Sequence, residues 1–334
     1  MDSWENKIFH ASSHKFESLA LELFRFQYIN NPTYRQYTDT LKINPADVNS
    51  ITKIPFLPLE LFKLHAIKTT EFIPEVTFES SGTTSSGEPS RHYVKSAAIY
   101  TKSFLATFRL FYGEPSEWCI LGLLPAYLER SGSSLVFMVR ELIQNSAHDL
   151  SGFYLHDHEK LYHTLLHNEI LGQPTLLIGV SYALLDFAEK YQMNLSNTFL
   201  METGGMKGRR TEITREELHD KLKAKFGVQV IHSEYGMTEL LSQAYSLKDG
   251  MFKCPPWMQI LLRAEDDPFK IIEVPNQRIP NTGILNIIDL ANIYSCAFLA
   301  TEDLGKLHHN GRFEVLGRTD ASDARGCSLL TLDQ

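Results

Sequence analysis

The sequence predicts an α/β fold in which parallel-rich sheets flanked by helices are followed by a smaller β-rich subdomain. Four short apolar runs bounded by turn residues, WCILGLL (118–124), PTLLIGV (174–180), NTFLME (197–202) and VQVIHS (228–233), read as buried strands. Segments of helical period at 97–111, 133–145, 159–169, 181–192 and 214–225 alternate with them. Such alternation implies parallel strands joined by helical crossovers. From about residue 251 the runs FKIIEV, GILNIIDL and GRFEVLG, separated by Pro, Gly and Asn, read instead as antiparallel strands.

Ahead of these elements, Phe16, Leu19, Leu23, Phe24 and Phe26 recur with a helical period over 13–29 and predict an amphipathic helix lying on the main body. In IPFLPLELFK, Pro55 and Pro58 break any regular element, so an apolar, turn-rich segment is expected to lead into the Ser/Thr/Gly run at 80–87.

Composition narrows the class of function. The 334 residues are 43% hydrophobic and 22% charged, ordinary for a globular protein with a large core. A net charge of −8 argues against nucleic acid as a partner, although a local basic pocket for nucleotide phosphates is compatible with it. The four cysteines, Cys119, Cys254, Cys296 and Cys327, lack the spacing of zinc ligands, and reduced thiols are expected. The N-terminal MDSWENKIFH does not read as a signal peptide, and no run approaches the roughly 20 apolar residues that span a bilayer. A cytoplasmic protein without a membrane span is the expectation.

Four separated segments carry candidate chemistry. Small residues in Glu79-Ser80-Ser81-Gly82-Thr83-Thr84-Ser85-Ser86-Gly87 expose backbone N–H groups and hydroxyls suited to phosphate oxygens, though the same composition also makes ordinary surface turns. No GKS or GKT follows, so this is not a Walker loop. Ser233-Glu234-Tyr235-Gly236-Met237-Thr238-Glu239 follows a predicted strand, at the edge where open α/β sheets bind ligands. There Tyr235 is suited to stacking on a purine, Thr238 to donating to a phosphate and Glu239 to holding a magnesium ion. The structural alternative is a helix start with Thr238 as N-cap. In Thr301-Glu302-Asp303-Leu304-Gly305 and Gly317-Arg318-Thr319-Asp320, an acid fits ribose hydroxyls and an arginine fits ribose or phosphate; singly, each reads equally as a turn or a solvated charge.

Taken in order, SSGTTS, YGMTE, TEDLG and GRTD resemble the adenylate-forming superfamily of acyl-CoA synthetases, luciferases and peptide-synthetase adenylation domains. The resemblance implies the large N-terminal lobe of an acyl-adenylate-forming enzyme, with ATP and Mg2+ as its cofactors. It places Ser81, Gly82, Thr83 and Thr84 on the triphosphate, Tyr235, Gly236 and Met237 with the adenine, Thr238 and Glu239 with phosphate and metal, and Asp303 on the ribose. Arg318 falls at the hinge to a small C-terminal lobe. Glu202-Thr203-Gly204-Gly205-Met206-Lys207-Gly208-Arg209-Arg210 is similar to the adenine-side loop of phenylacetate-CoA-ligase-like members, its bare Gly204 and Gly205 letting backbone approach a flat base. Positive charge opposite the α-phosphate is expected from Arg318, Lys207, Arg91 or Lys95.

Members of that superfamily continue well beyond the GRxD motif into a small lobe that supplies a lysine. Here Asp320 lies close to Gln334, so the expectation is a large lobe whose partner lobe is absent or comes from elsewhere. The ending GRTDASDARGCS, together with IPFLPLELFK, SSGTTSSGEPSR and LLPAYLERSGSSLVFMV, resembles the LuxE-type acyl-protein synthetases over nearly the whole chain. That resemblance implies activation of a fatty acid, loading onto Cys327 and transfer to a reductase or carrier protein. Arg325 is placed to lower the Cys327 pKa, and Gly326 to let the tail swing. The implied organisation is a nucleotide- and acyl-binding body over 1–250, a β-rich subdomain with the ribose motif over 251–320 and a tail over 321–334. Leu123, Leu124, Pro125, Ala126 and Tyr127, with Gly179, Val180, Ser181 and Tyr182, either line an acyl tunnel or belong to the core.

Two other functions remain open on sequence alone. One is a CoA or acyl-carrier-protein ligase of the phenylacetate type whose second lobe is encoded separately. The other is a non-catalytic scaffold subunit, against which the retention of Thr83, Thr84, Glu239, Asp303 and Arg318 speaks.

Overall fold

A computed structural model describes residues 4–10, 13–80, 88–125, 132–204, 210–211, 213–272 and 281–319. The chain begins with α1 (Trp4–Phe9), α2 (Phe16–Asn30), α3 (Pro32–Thr40), β1 (Leu57–Pro58), α4 (Leu61–Leu64), β2 (Val76–Glu79), β3 (Arg91–Val94) and α5 (Ala97–Tyr112). It continues through β4 (Cys119–Leu123), α6 (Ser134–Ser146), β5 (Gly152–Phe153), α7 (His158–Leu171), β6 (Thr175–Val180), α8 (Ser181–Lys190), β7 (Thr198–Thr203) and α9 (Arg215–Phe226). The remaining strands are β8 (His232–Tyr235), β9 (Ala244–Ser246), β10 (Phe252–Lys253), β11 (Met258–Arg263), β12 (Ile271–Ile272), β13 (Asn281–Asp289), β14 (Phe298–Leu307) and β15 (Phe313–Arg318). These elements form two compact units, each discontinuous in sequence. The first comprises Met1–Phe104, Gly236–Gln243 and Lys253–Glu314, the second Leu105–Tyr235, Ala244–Phe252 and Val315–Gln334.

In the second unit the expected crossovers are present. β4 pairs in parallel with β5 and β6, β6 with β7 and β7 with β8, while β9 turns back antiparallel on β8. β4 and β6 are buried throughout, which is why they read as unbroken apolar runs rather than alternating ones. The helix ends follow local chemistry. Asp157 caps α7 and Thr214 with Glu217 forms a capping box on α9, while Gly172 and Gly227 close the same helices in the left-handed region. The predicted strand VQVIHS is displaced: after the Gly227 cap, residues 228–231 only return the chain to the sheet, and pairing starts where Met201 meets His232.

Apart from one short parallel pair, the first unit is antiparallel, as the Pro/Gly-punctuated runs foretold. β11 pairs with β12 and β13, and β13 with β14. α2 buries Phe16, Leu19, Ala20, Leu23, Phe24 and Gln27, the polar Gln27 taking the place that the apolar period assigned to Phe26. The aromatic centre of this unit gathers Phe24, Tyr34 and Phe56 around Phe298.

Two expectations are corrected here. Leu57 and Pro58 do not interrupt regular structure but pair in parallel with Leu299 and Ala300 as a two-residue strand, short enough to tolerate a proline. The Thr301–Gly305 segment is not a turn; it lies inside β14. Gly305 is required there because a Cβ would meet the Glu314 carbonyl oxygen at 2.6 Å and the Leu285 side chain at 2.6 Å.

Candidate active site

In the first unit, Thr238 and Glu239 form a turn closed by the Leu240 N–H donating to the Met237 carbonyl at 3.1 Å. The helix start with Thr238 as N-cap is therefore absent. Gly236 is exposed, Met237 and Thr238 are half-buried, and Glu239 is buried. What holds this turn comes from far along the chain. His92 Nδ1 lies 2.9 Å from the Thr238 carbonyl, and Asn292 Nδ2 donates to the Glu239 carbonyl at 2.8 Å. The next N–H, of Leu241, donates to Asp289 Oδ2 at 2.9 Å and to Asn292 Oδ1 at 3.1 Å. Asp289 Oδ1 also accepts from Ser242 Oγ at 2.6 Å and from the Ala291 N–H at 3.0 Å.

These partners sit on the connection between β13 and β14, residues 290–297, which is buried except at the half-buried Tyr294. A buried loop must have its polar backbone satisfied. Gln27 does this with two donations, to the carbonyls of Asn292 at 2.8 Å and Ile293 at 3.0 Å, and by accepting from the Ala297 N–H at 3.0 Å. Asn31, which also caps α3 at the Tyr34 N–H, donates to the Ser295 carbonyl at 3.0 Å. Trp257 Nε1 donates to Ser103 and Ser242, extending the network.

Burial dominates the protonation of these groups. Asp289, with no solvent to stabilise its charge, is pushed up to about 6 despite the donors on it. Burial lowers His92 to about 4, only partly opposed by its bond to the Thr238 carbonyl. A neutral His92 has one ring N–H. Because a carbonyl only accepts, Nδ1 carries that hydrogen, and Nε2 accepts from the Ser295 hydroxyl at 2.8 Å.

The ribose candidate Asp303 occupies an irregularity of β14. Register with β13 runs Ile284 to Leu304 and Asn286 to Ala300, so Leu285 alone spans Thr301, Glu302 and Asp303. The Thr301 hydroxyl pins this bulge, donating to the Leu285 carbonyl at 2.7 Å and accepting from the Asp303 N–H at 3.1 Å. Bulges re-aim side chains at strand edges and binding sites.

The Ser/Thr/Gly segment is flanked by the antiparallel hairpin β2–β3, in which Glu79 faces Arg91. Ser80 and Ser90 close it: the Ser80 N–H donates to the Ser90 carbonyl, and the Ser90 N–H to Ser80 Oγ at 2.9 Å. Ser81, Gly82, Thr83 and Thr84 themselves lie outside the described residues. Of the cations proposed for the α-phosphate, Arg91 pairs with Glu79 at 3.1 Å and Glu88 at 3.3 Å. Lys95 Nζ sits 4.0 Å from the centre of the Tyr294 ring, a cation–π contact.

In the second unit, the carboxyl ends of β6, β7 and β8 bring together Ser181, Thr203, Gly204, Glu234 and Tyr235. Gly204 is exposed and left-handed at φ 64°, and its carbonyl accepts from Ser181 Oγ at 2.6 Å. Thr203 Oγ1 donates to Glu234. Tyr235, the last residue of β8, is buried and packs edge-to-face on Phe252 at 5.9 Å. Glu202 anchors this edge from below, with Arg215 Nε at 3.4 Å and His219 Nε2 at 3.6 Å. Burial raises the Glu202 pKa, but these two partners outweigh it and hold the carboxyl below its ordinary range. Arg215 also donates to the Val315 carbonyl at 3.0 Å, and Arg318 ends the same strand. Gly205, Lys207 and Cys327 lie outside the described residues. Of the proposed acyl-tunnel residues, Leu123, Leu124, Val180, Ser181 and Tyr182 are buried.

Sequence reasoning missed His92, Asp289, Asn292, Ser295 and Gln27. A signal existed only for Asp289 and Asn292, polar residues in the otherwise apolar stretch IIDLANI (287–293). Among the described residues, no three His, Cys, Asp or Glu side chains gather as a metal-binding group.

No protein-family model and no curated protein matches the chain. Solved structures do. ATP-bound MatB from Rhodopseudomonas palustris aligns with a TM-score of 0.54 at 15% identity, covering 75% of this chain and 50% of that one. The chain shares the fold of MatB. The ATP-bound RpMatB-BxBclM chimera gives 0.55 at 14% identity over 75% and 49% of the two chains. Apo MatB from the same organism gives 0.53 at 15% over 73% and 48%. The chain thus spans about half the length of the structures it matches.

The buried ionisable groups make stability depend on pH. His92 in the first unit and His232 in the second both stand at about 4 in the folded chain, lowered by burial. Unfolded, each takes up a proton near 6.5, so stability is lost as pH falls from about 6.5 to 4, by roughly 3 kcal/mol per histidine. Asp289 acts oppositely: its raised pKa makes stability greatest below about 4 and loses it as pH rises through about 6. In the first unit the two effects oppose each other, whereas in the second unit His158, also lowered by burial, acts in the same direction as His232. The urea midpoint of unfolding is expected to fall between pH 6.5 and 4.5 in the wild type and to fall less steeply in His232→Gln; equal slopes would refute this.

Proposed function

We propose that this chain activates a carboxylic acid with ATP and passes the acyl group to a thiol, as in the adenylate-forming superfamily and its LuxE-type acyl-protein synthetases. The substrate carboxylate oxygen attacks the α-phosphorus, the bond to the bridging oxygen breaks, and pyrophosphate leaves with the electron pair. A thiolate then attacks the acyl carbon, and AMP departs.

The observation that carries the reading is the Thr238–Glu239 turn, which follows a parallel strand's carboxyl end and is anchored at both carbonyls by buried side chains. The MatB fold, whose solved examples include ATP-bound ones, supports it. In this reading Thr238 donates to a phosphate oxygen, Asp303 accepts the ribose hydroxyls and Arg318 binds ribose or phosphate. Ser81, Gly82, Thr83 and Thr84 cradle the triphosphate; Gly204, Gly205, Tyr235, Gly236 and Met237 border the adenine. Glu239 would supply a carboxylate to Mg2+. That ion would offset charge on the phosphate oxygens.

Chemistry among the cysteines favours Cys327 as acceptor. Burial raises the thiols of Cys119 and Cys254, and pushes Cys296 up to about 12, so none of these yields a thiolate at neutral pH. A reductase or carrier protein is the natural next acceptor of a thioester. No helix among the described residues is long and apolar enough to cross a membrane.

Carboxylate-dependent ATP–pyrophosphate exchange tests the activation step, and its absence with aliphatic and aromatic acids alike would refute it. Cys327→Ser is expected to keep exchange at the wild-type rate while losing at least ~90% of the hydroxylamine-sensitive acyl label on the protein. Retention of that label would place the acceptor elsewhere. A thioester formed with free CoA, without protein label, would instead select the phenylacetate-type ligase.

A further inference from the structure

We infer that His92 is a positioning residue that holds the Thr238–Glu239 turn, assigned above to the phosphates of ATP, in register with the β2–β3 hairpin. The inference rests on the function proposed above for these elements. His92 belongs to β3, opposite Phe78 of β2, on the hairpin that flanks Ser81–Gly87. Its Nδ1–H donates to the Thr238 carbonyl across 146 positions, and its Nε2 accepts from Ser295 across 203. The ring is buried, with Phe62 edge-to-face at 5.9 Å, so its orientation is fixed by packing as well as by hydrogen bonds.

The arrangement is directional. Ser295, whose carbonyl is held by Asn31 and Thr69, donates to Nε2 and thereby sets the tautomer that donates to Thr238. Asn292 on the same loop holds the adjoining Glu239 carbonyl. Two successive carbonyls are thus clamped, one by Asn292 from the buried loop and one by His92 from the hairpin, with Ser295 of the loop holding His92 in turn. Both of its bonds use the turn's backbone or the loop, so His92 acts on a ligand only through Thr238 and Glu239.

His92→Phe removes the donor while keeping a flat ring; His92→Asn restores an N–H near the position of Nδ1. We expect His92→Phe to weaken MgATP binding measured by calorimetry about tenfold and to lower exchange kcat about tenfold, with KM for the carboxylic acid unchanged. Hydrogen exchange should quicken in peptide 236–243 but not in β11–β13. His92→Asn should recover MgATP affinity to within about threefold of wild type. Unchanged MgATP affinity in His92→Phe overturns the proposal, as does equal loss in both variants with exchange quickened across the whole unit. If the wild type exchanges pyrophosphate with no acid, yet MgATP binding falls in His92→Phe and recovers in His92→Asn, the functional reading fails and the positioning role stands. A wild type that does not bind MgATP overturns both.

Discussion

Asp289→Ala is expected to cost the first unit on the order of 4 kcal/mol, because one carboxylate satisfies three buried donors. Its removal leaves the Leu241 N–H with only the longer Asn292 bond, deprives the Ala291 N–H of its acceptor and leaves Ser242 Oγ with Ser103 Oγ alone to donate to. Each orphaned donor costs about 1–3 kcal/mol, and solvent cannot enter a site of this burial without opening the loop. Asp289→Asn should be milder. Its carbonyl oxygen can keep Ser242 and Ala291, but its amide then faces the Leu241 N–H, donor against donor. Trp257, whose indole donates to Ser242, reports this region, so the urea midpoint followed by its fluorescence is the measurement. An Asp289→Ala midpoint corresponding to less than about 1 kcal/mol of loss would mean that the network is not what holds the turn.

Glu239→Gln should lower ATP–pyrophosphate exchange by about 10²–10³-fold while leaving the urea midpoint within about 0.5 kcal/mol of wild type. The two side chains share size and shape, and the main-chain carbonyl of residue 239 keeps its bond from Asn292 in either case. What changes is the charge available to a cation bridging phosphate oxygens. The loss should therefore be accompanied by a raised Mg2+ requirement, partly relieved at high Mg2+. Exchange within threefold of wild type would remove Glu239 from the reaction, whereas a large fall in stability would assign it a structural part instead.

The two substitutions act on the same turn from opposite sides. Asp289 holds the chain through the Leu241 and Ala291 N–H groups and the Ser242 hydroxyl, so its loss reports on folding first. Glu239 is the side chain the turn carries, so its loss reports on chemistry.

Much of the architecture was legible because it is written locally. The apolar runs of β4 and β6 and the helical periods of α5 to α9 reflect burial on two faces or one, and that pattern repeats every few residues. Helix ends were equally local, as with Thr214, Glu217 and Gly227. Errors arose where local composition misleads. VQV looked like strand because Val228 and Val230 are β-branched and alternate with a polar residue, yet it only leads back from a helix cap. TEDLG looked like a turn because Asp and Gly favour turns, yet neighbours on both sides made it a bulged strand.

By itself, the sequence determined the α/β class, the parallel and antiparallel regions and the order of motifs on which the functional reading depends. Only the tertiary structure decided how the Thr238–Glu239 turn is held. Its anchors, His92, Asp289 and Asn292, lie 146, 48 and 53 positions from the groups they bind, and Gln27 reaches the same loop across 265. A helix cap announces itself because its donor and acceptor are three residues apart. A buried histidine, asparagine or glutamine that satisfies a distant carbonyl leaves no such period, since the partner that makes its burial favourable exists only after the chain has folded.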